Sequence, residues 1–180
     1  MPAFTVIQHD EISGSSTGTW SKSSIPSSYD HLMLKISLRS DVSDFEDYWG
    51  LRLNSDSTAS KYSYTNLHAY GTTVASSRAA SGGSADGFVN MVPSTAATAT
   101  ADTYSSQTIW IPHYANTTNY KQVLSTAAVE NASTTENRLV MEAGLFADTA
   151  AIHTVLVMNS VSADNFVQYS TFTLYGVTGA

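Results

Sequence analysis

The chain contains no cysteine and little charge. The first absence excludes disulfides, thiol nucleophiles and thiolate metal sites, and it favours folding in a reducing cytoplasm. Charged residues make up 13% of the chain, about half the usual quarter, and Ser, Thr and Ala take their place. Basic residues number only eight and are scattered singly in a chain of formal charge −7, so phosphate-led binding of nucleic acid is not expected. No apolar run approaches the ~20 residues of a membrane-spanning helix. The opening MPAFTVIQHDE lacks a basic start followed by an apolar run, so no signal peptide is expected. No convincing amphipathic helical pattern and no internal repeat are present, which disfavours a parallel α/β sheet, a propeller or a solenoid.

What is present is alternation. Leu32, Leu34, Ile36 and Leu38 point one way and Met33, Lys35, Ser37 and Arg39 the other, which is the period of a strand with one buried and one wetter face. Short β-prone runs surround it: Phe4 to Gln8, Thr17 to Trp20, Trp49 to Leu53, Phe88 to Val92, Gln107 to Ile111, Tyr120 to Val129, Leu139 to Phe146, Ile152 to Met158 and Phe166 to Val177. In the last, Tyr169, Thr171, Thr173 and Tyr175 share one face, and Ser170, Phe172 and Leu174 the other. The segment Lys61 to Tyr70 fits either a strand or a short helical turn. Gly71 to Gly87 reads as loop, and the low-complexity Ser94 to Asp102 as an exposed connection. Eight to ten short strands separated by turn signals predict one all-β domain over residues 1–180, an antiparallel β-sandwich of jelly-roll type. At 180 residues it buries roughly 70% of its unfolded surface.

No motif names a chemistry. Gly14 to Gly18 fits G-x-S-x-G, but a nucleophile elbow needs a strand–turn–helix inside an α/β sheet, so a flexible loop is the reading. The acidic stretch Asp41 to Asp47 lacks EF-hand spacing and reads as solvated loop carboxylates, with a structural calcium ion as the alternative. His9, His31, His68, His113 and His153 stand far apart without a zinc-ligand spacing, although folding can bring two together. Only Glu142 among the carboxylates falls inside an expected strand, a weak basis for the paired carboxylates of a glycosidase. The aromatics alternate with strand period and are expected in the core, with a sugar-stacking face as the alternative. No catalytic, metal or cofactor-binding residue is therefore assigned.

The runs IPSSYDHLMLKISLRS, LRLNSDS, IWIPHYANTTNYK, AAIHTVLVMNS and STFTLYGV, in that order, resemble a family of small β-rich virion proteins of tailed phages. The residues that carry the likeness are Tyr29, His31, Leu32, Arg39, Ser40, Asn54, Asp56, Ile111, Pro112, Tyr114, Lys121, Leu174, Tyr175 and Gly176. They are hydrophobic or turn-forming, and the segment Gly71 to Asp102 falls outside the likeness. The resemblance implies a non-enzymatic structural protein of the virion, made in the host bacterial cytoplasm. Its implied role is an oligomeric capsid decoration protein beside the major capsid protein. The alternative is a tail or head fibre module that recognises a bacterial surface glycan, and a β-sandwich glycan hydrolase is a third class. The resemblance also implies a homotrimer, since such proteins often sit on three-fold axes. Low charge and sparsely guarded strand edges along Gln107 to Trp110 and Phe166 to Val177 are a separate reason to expect self-association. Neither a nucleic-acid nor a membrane partner is expected.

Overall fold

The computed structural model describes residues 3–14, 18–79, 89–131, 137–159 and 164–179. Twelve strands occur among them: β1 (Ala3–Glu11), β2 (Thr19–Lys22), β3 (His31–Leu38), β4 (Glu46–Leu53), β5 (Tyr62–Tyr70), β6 (Thr73–Ala79), β7 (Val89–Thr95), β8 (Ser105–Pro112), β9 (Lys121–Val129), β10 (Arg138–Phe146), β11 (Val155–Asn159) and β12 (Thr171–Thr178). They form two antiparallel sheets, one of eight strands in the order β1-β12-β3-β8-β9-β10-β5-β6 and one of four in the order β2-β11-β4-β7. The sheets pack as a β-sandwich, the expected fold class.

The alternation in β3 sets the core. Leu32, Leu34, Ile36 and Leu38 are buried and meet Trp49, Leu51 and Leu53 of β4 and Val155 and Val157 of β11 in one apolar cluster. Large rings cross the middle layer: Trp20 stacks on Phe172 at 5.1 Å, Phe172 meets Phe166 at 4.9 Å, and Phe166 meets Trp49 at 4.1 Å. Each indole N–H keeps a partner, Trp49 donating to Ser94 Oγ (2.9 Å) and Trp20 to Asp10 Oδ2 (2.7 Å), so these rings enter the interior without an orphaned donor.

Several local expectations change. Lys61 to Tyr70 is a strand, introduced by a single 3-10 turn over Ala59–Lys61. Thr73–Ala79, expected as loop, is the edge strand β6, which its polar TVASSRA composition conceals because both of its faces are largely exposed. Pro93 does not stop β7, because β7 is an edge strand where a missing N–H costs no ladder bond. The Ser94 to Asp102 stretch is only partly exposed: Ser94, Thr95, Ala96 and Ala99 are buried. Arg39 holds its far end, donating to the carbonyls of Ala97, Ala99, Thr100 and Thr103. The two segments expected as open edges are interior. Strand β8 lies between β3 and β9, and β12 lies between β1 and β3. The edges are β1, β6, β2 and β7. Ser15 to Thr17 of the G-x-S-x-G match, and Phe88, lie outside the described residues.

Candidate interaction surface

The residues of the five runs singled out in the sequence hold the scaffold. The Tyr29 ring covers Gly176 of β12, and a Cβ built there would lie 2.6 Å from its Cδ1. Asn54, at positive φ in its turn, accepts from the N–H groups of His153 (2.8 Å) and Thr154 (3.3 Å) and donates to Ala151 O (2.9 Å). This turn therefore fixes the approach to β11. Asp56 accepts from Lys61 Nζ at 2.6 Å, and Lys61 also reaches Asp148 at 2.6 Å. Lys61 and the Thr58 N–H and hydroxyl stabilise the Asp56 carboxylate and lower its pKa to about 2. Tyr114 is buried and donates to Pro26 O. Lys121, also buried, donates to the carbonyls of Asn119 (2.7 Å) and Thr149 (3.0 Å); desolvation pushes its pKa down, with Asp148 opposing.

The acidic stretch separates into individual contacts. Asp41 accepts from the backbone and side-chain N–H groups of Asn165 (2.7 and 3.0 Å). Asp44 accepts from Phe45 N–H (2.7 Å). Glu46, in β4, takes a two-pronged ion pair from Arg138 (2.8 and 2.5 Å). Asp47 is buried, and desolvation raises its pKa against the hydrogen bonds it accepts from Tyr48 N–H and Asn159 Nδ2. Among the described residues no group of three His, Asp or Glu side chains is placed to hold a metal ion. Two of the scattered histidines do meet: the His31 and His113 rings lie 4.9 Å apart, and His31 Nδ1 accepts from the His113 N–H.

Two clefts carry polar or aromatic groups. One, of about 430 Å³, is lined by Arg39, Asp41, Asp102, Tyr104, Gln168 and Tyr169. Tyr169 has φ 69° and an exposed ring, a left-handed backbone that a bulky residue rarely adopts. The other, of about 180 Å³, lies between β4, β5, β6 and β10. Here Asn66 donates to the buried Glu142 (3.3 Å), and its own oxygen accepts from Ser77 (2.8 Å) and pairs with His68 Nδ1 (3.1 Å). Burial and the Glu142 charge raise the Tyr64 pKa. Glu142 is thus inward-facing and engaged. Its contacts come from strands far apart in sequence, although Tyr62, Tyr64, Asn66, His68 and Tyr70 at period two already mark a polar inner face on β5.

An apolar surface field lies elsewhere, on the outer face of the eight-stranded sheet. Leu139, Met141 and Ala143 of β10 stand directly beside Ala128, Thr126 and Leu124 of β9, and beside Ala69, Leu67 and Thr65 of β5. Val74 of β6 extends the row past Ala69, and Trp110 and Met33 extend it past Leu124. Leu67, Leu124, Leu139, Met141 and Val74 are open, from 47% exposed for Leu124 to 70% for Val74, while Met33 and Trp110 at the β3 side are half-buried. A hollow of about 320 Å³ opens at one end, lined in part by Ala69, Ala128, Arg138 and Leu139.

No family model and no curated protein matches the chain.

Proposed function

We propose that this chain is a non-enzymatic structural protein of a tailed-phage virion, an oligomeric decoration protein that reinforces the capsid surface. The observation that carries the reading is the outer face of the eight-stranded sheet. Protein surfaces rarely leave so many large aliphatic side chains open together unless another protein covers them. The residues on which the phage resemblance rests support the same reading, since they fix turns, strand ends and the Gly176 contact rather than converge on a reaction centre. Low charge also suits a protein that works packed against neighbours. The expected site of action is the virion, beside the major capsid protein, with a trimer as the assembly implied by the resemblance.

The test is quantitative mass spectrometry of purified particles of a phage that encodes the chain. Hundreds of copies per particle are expected of a decoration protein. Its absence from washed particles overturns the reading. The cleft at Tyr104 and Tyr169 favours the second reading, a fibre module that binds a host glycan, because an exposed ring held on a strained backbone is suited to stacking on a sugar. That reading expects a few to a few dozen copies per particle and loss of cell-surface binding in Tyr169→Ala.

A further inference from the structure

We infer that the outer face of the β9-β10-β5-β6 end of the eight-stranded sheet is covered by a second copy of this chain. The inference rests on the reading of that face as a contact surface but not on where the protein is deployed. Three observations favour a copy of the same chain over another occupant.

The first is size. The four strands of this end, about 4.8 Å apart with about eight residues rising ~3.3 Å each, span roughly 500 Å², and β8 and β3 beside them bring the face to roughly 760 Å², close to the about 800 Å² that each partner of a stable protein pair contributes. The apolar field occupies the greater part of the width from β3 to β6 and is large enough to form the dry centre of such a contact.

The second is relief. Across the sheet the row Val74, Ala69, Leu139, Ala128 alternates larger and smaller side chains, and the adjoining hollow of about 320 Å³ is lined by the same two alanines and Leu139. Such a surface presents knobs and the gaps that receive them. Two copies can therefore interdigitate at sheet-packing distance as the inner faces of a sandwich do.

The third is charge. The charged side chains that register places on the outer face are Lys35, Arg78 and Glu11, with Lys35 and Glu11 beyond the apolar centre and Arg78 at its β6 rim. A nearly uncharged centre selects neither a basic nor an acidic partner. With a chain charge of −7 and no cluster of basic groups, the face does not suit an anionic lipid surface. A neutral face of this kind is complementary to itself and pairs two copies about a two-fold axis, a contact separate from the three-fold one that the resemblance implies; its copy is present wherever the chain is made.

Sedimentation velocity and multi-angle light scattering of the purified full chain at micromolar concentration test this, on the unsubstituted protein and on three variants. Leu67→Asp and Leu139→Lys change exposed side chains on neighbouring strands of the face, so each is expected to leave the far-ultraviolet circular dichroism and cooperative melting unchanged. Phe45→Asp alters an exposed aromatic before β4, off the face, and is the control. The expected result is an oligomer whose dissociation constant rises at least a hundredfold in both face variants and is unchanged in the control. A monomer for the unsubstituted chain overturns the inference. So does an oligomer indifferent to both face substitutions, or one that Phe45→Asp dissolves equally. A monomeric result leaves the virion assignment standing, because particle mass spectrometry reads that independently.

Discussion

Replacing Gly176 by alanine sets a methyl group against the face of the Tyr29 ring. The built Cβ lies 2.6 Å from Cδ1 and is also too close to Cγ, so the stem of the ring must move as well as its tip. The backbone itself has no objection: Gly176 is in β12 at a negative φ, where alanine is better suited than glycine by about 0.5–1 kcal/mol. The overpacking cost, about 1–3 kcal/mol, outweighs that preference. A net loss of about 1–2 kcal/mol is expected, or roughly 2–8 °C at about 2–4 °C per kcal/mol for a domain of this size. In a Tyr29→Ala background the three atoms nearest the added methyl are gone, and the favourable backbone effect is expected to dominate. The sign therefore reverses, with Gly176→Ala stabilising by about 0.5–1 kcal/mol once the ring is gone. Urea unfolding of the four proteins measures the cycle, with a coupling of about 1–3 kcal/mol expected. Equal effects in the two backgrounds would refute the argument that the glycine is there to admit the ring.

Leu34→Asp places an unpaired carboxylate in the middle of the core and is expected to cost several kcal/mol, enough to remove cooperative melting; a soluble, sharply melting variant would show the strand faces to be reversed. Arg39→Met removes the guanidinium from four carbonyls of the segment after β7 and is expected to cost on the order of 2 kcal/mol, with new proteolytic nicking between Ala97 and Thr103; unchanged nicking would refute this. Asp56, with a folded pKa of about 2 against about 3.9 unfolded, contributes stability that is present above pH ~4 and lost as pH falls through about 2. Asp47, whose pKa is raised, has the opposite sign: its contribution is present below the unfolded value and lost as pH rises, so the native curve contains both. The difference in melting temperature between the native chain and Lys61→Met reads the two carboxylates that Lys61 pairs with, Asp56 and Asp148, both lowered in pKa by it, and should shrink on acidification from pH ~4 toward 2. Chelator treatment is expected to leave the melting temperature unchanged to within about a degree or two, and a large drop would reveal a bound ion.

The strand content was legible because burial on one face writes period two into β3, β8, β9, β10 and β12. The identity of the edges was not. Self-association was expected from scarce guards on Gln107 to Trp110 and Phe166 to Val177, yet β8 and β12 are interior because they pair with strands remote in sequence. Local alternation carries no information about which strand lies beside which. The same strand-order information exposes the apolar outer face: Leu67 and Met141 look like single surface residues in sequence, and only register makes them neighbours. Strand β6 escaped for a different reason. An edge strand with both faces largely exposed has no apolar period to show. The clefts, too, gather side chains from segments far apart, and only the period-two polar series on β5 announced one of them.

The position of β12 governs the order in which this protein can assemble. Strands β1 and β3 are synthesised early but do not touch through the sheet; the strand that joins them begins at Thr171. While the ribosome is still working toward that point, both early strands expose an unpaired ladder edge, and Phe172 and Leu174 are missing from the layer that Trp20 and Leu34 help to build. Closure of the larger sheet is therefore a late event, with the entropic cost of a very long loop and the slow kinetics of non-local pairing. Until then the nascent chain is at its most vulnerable to pairing with its neighbours on a polysome. A ribosome stalled before Thr171 leaves a product that cannot complete its own sheet, however correct every earlier residue is.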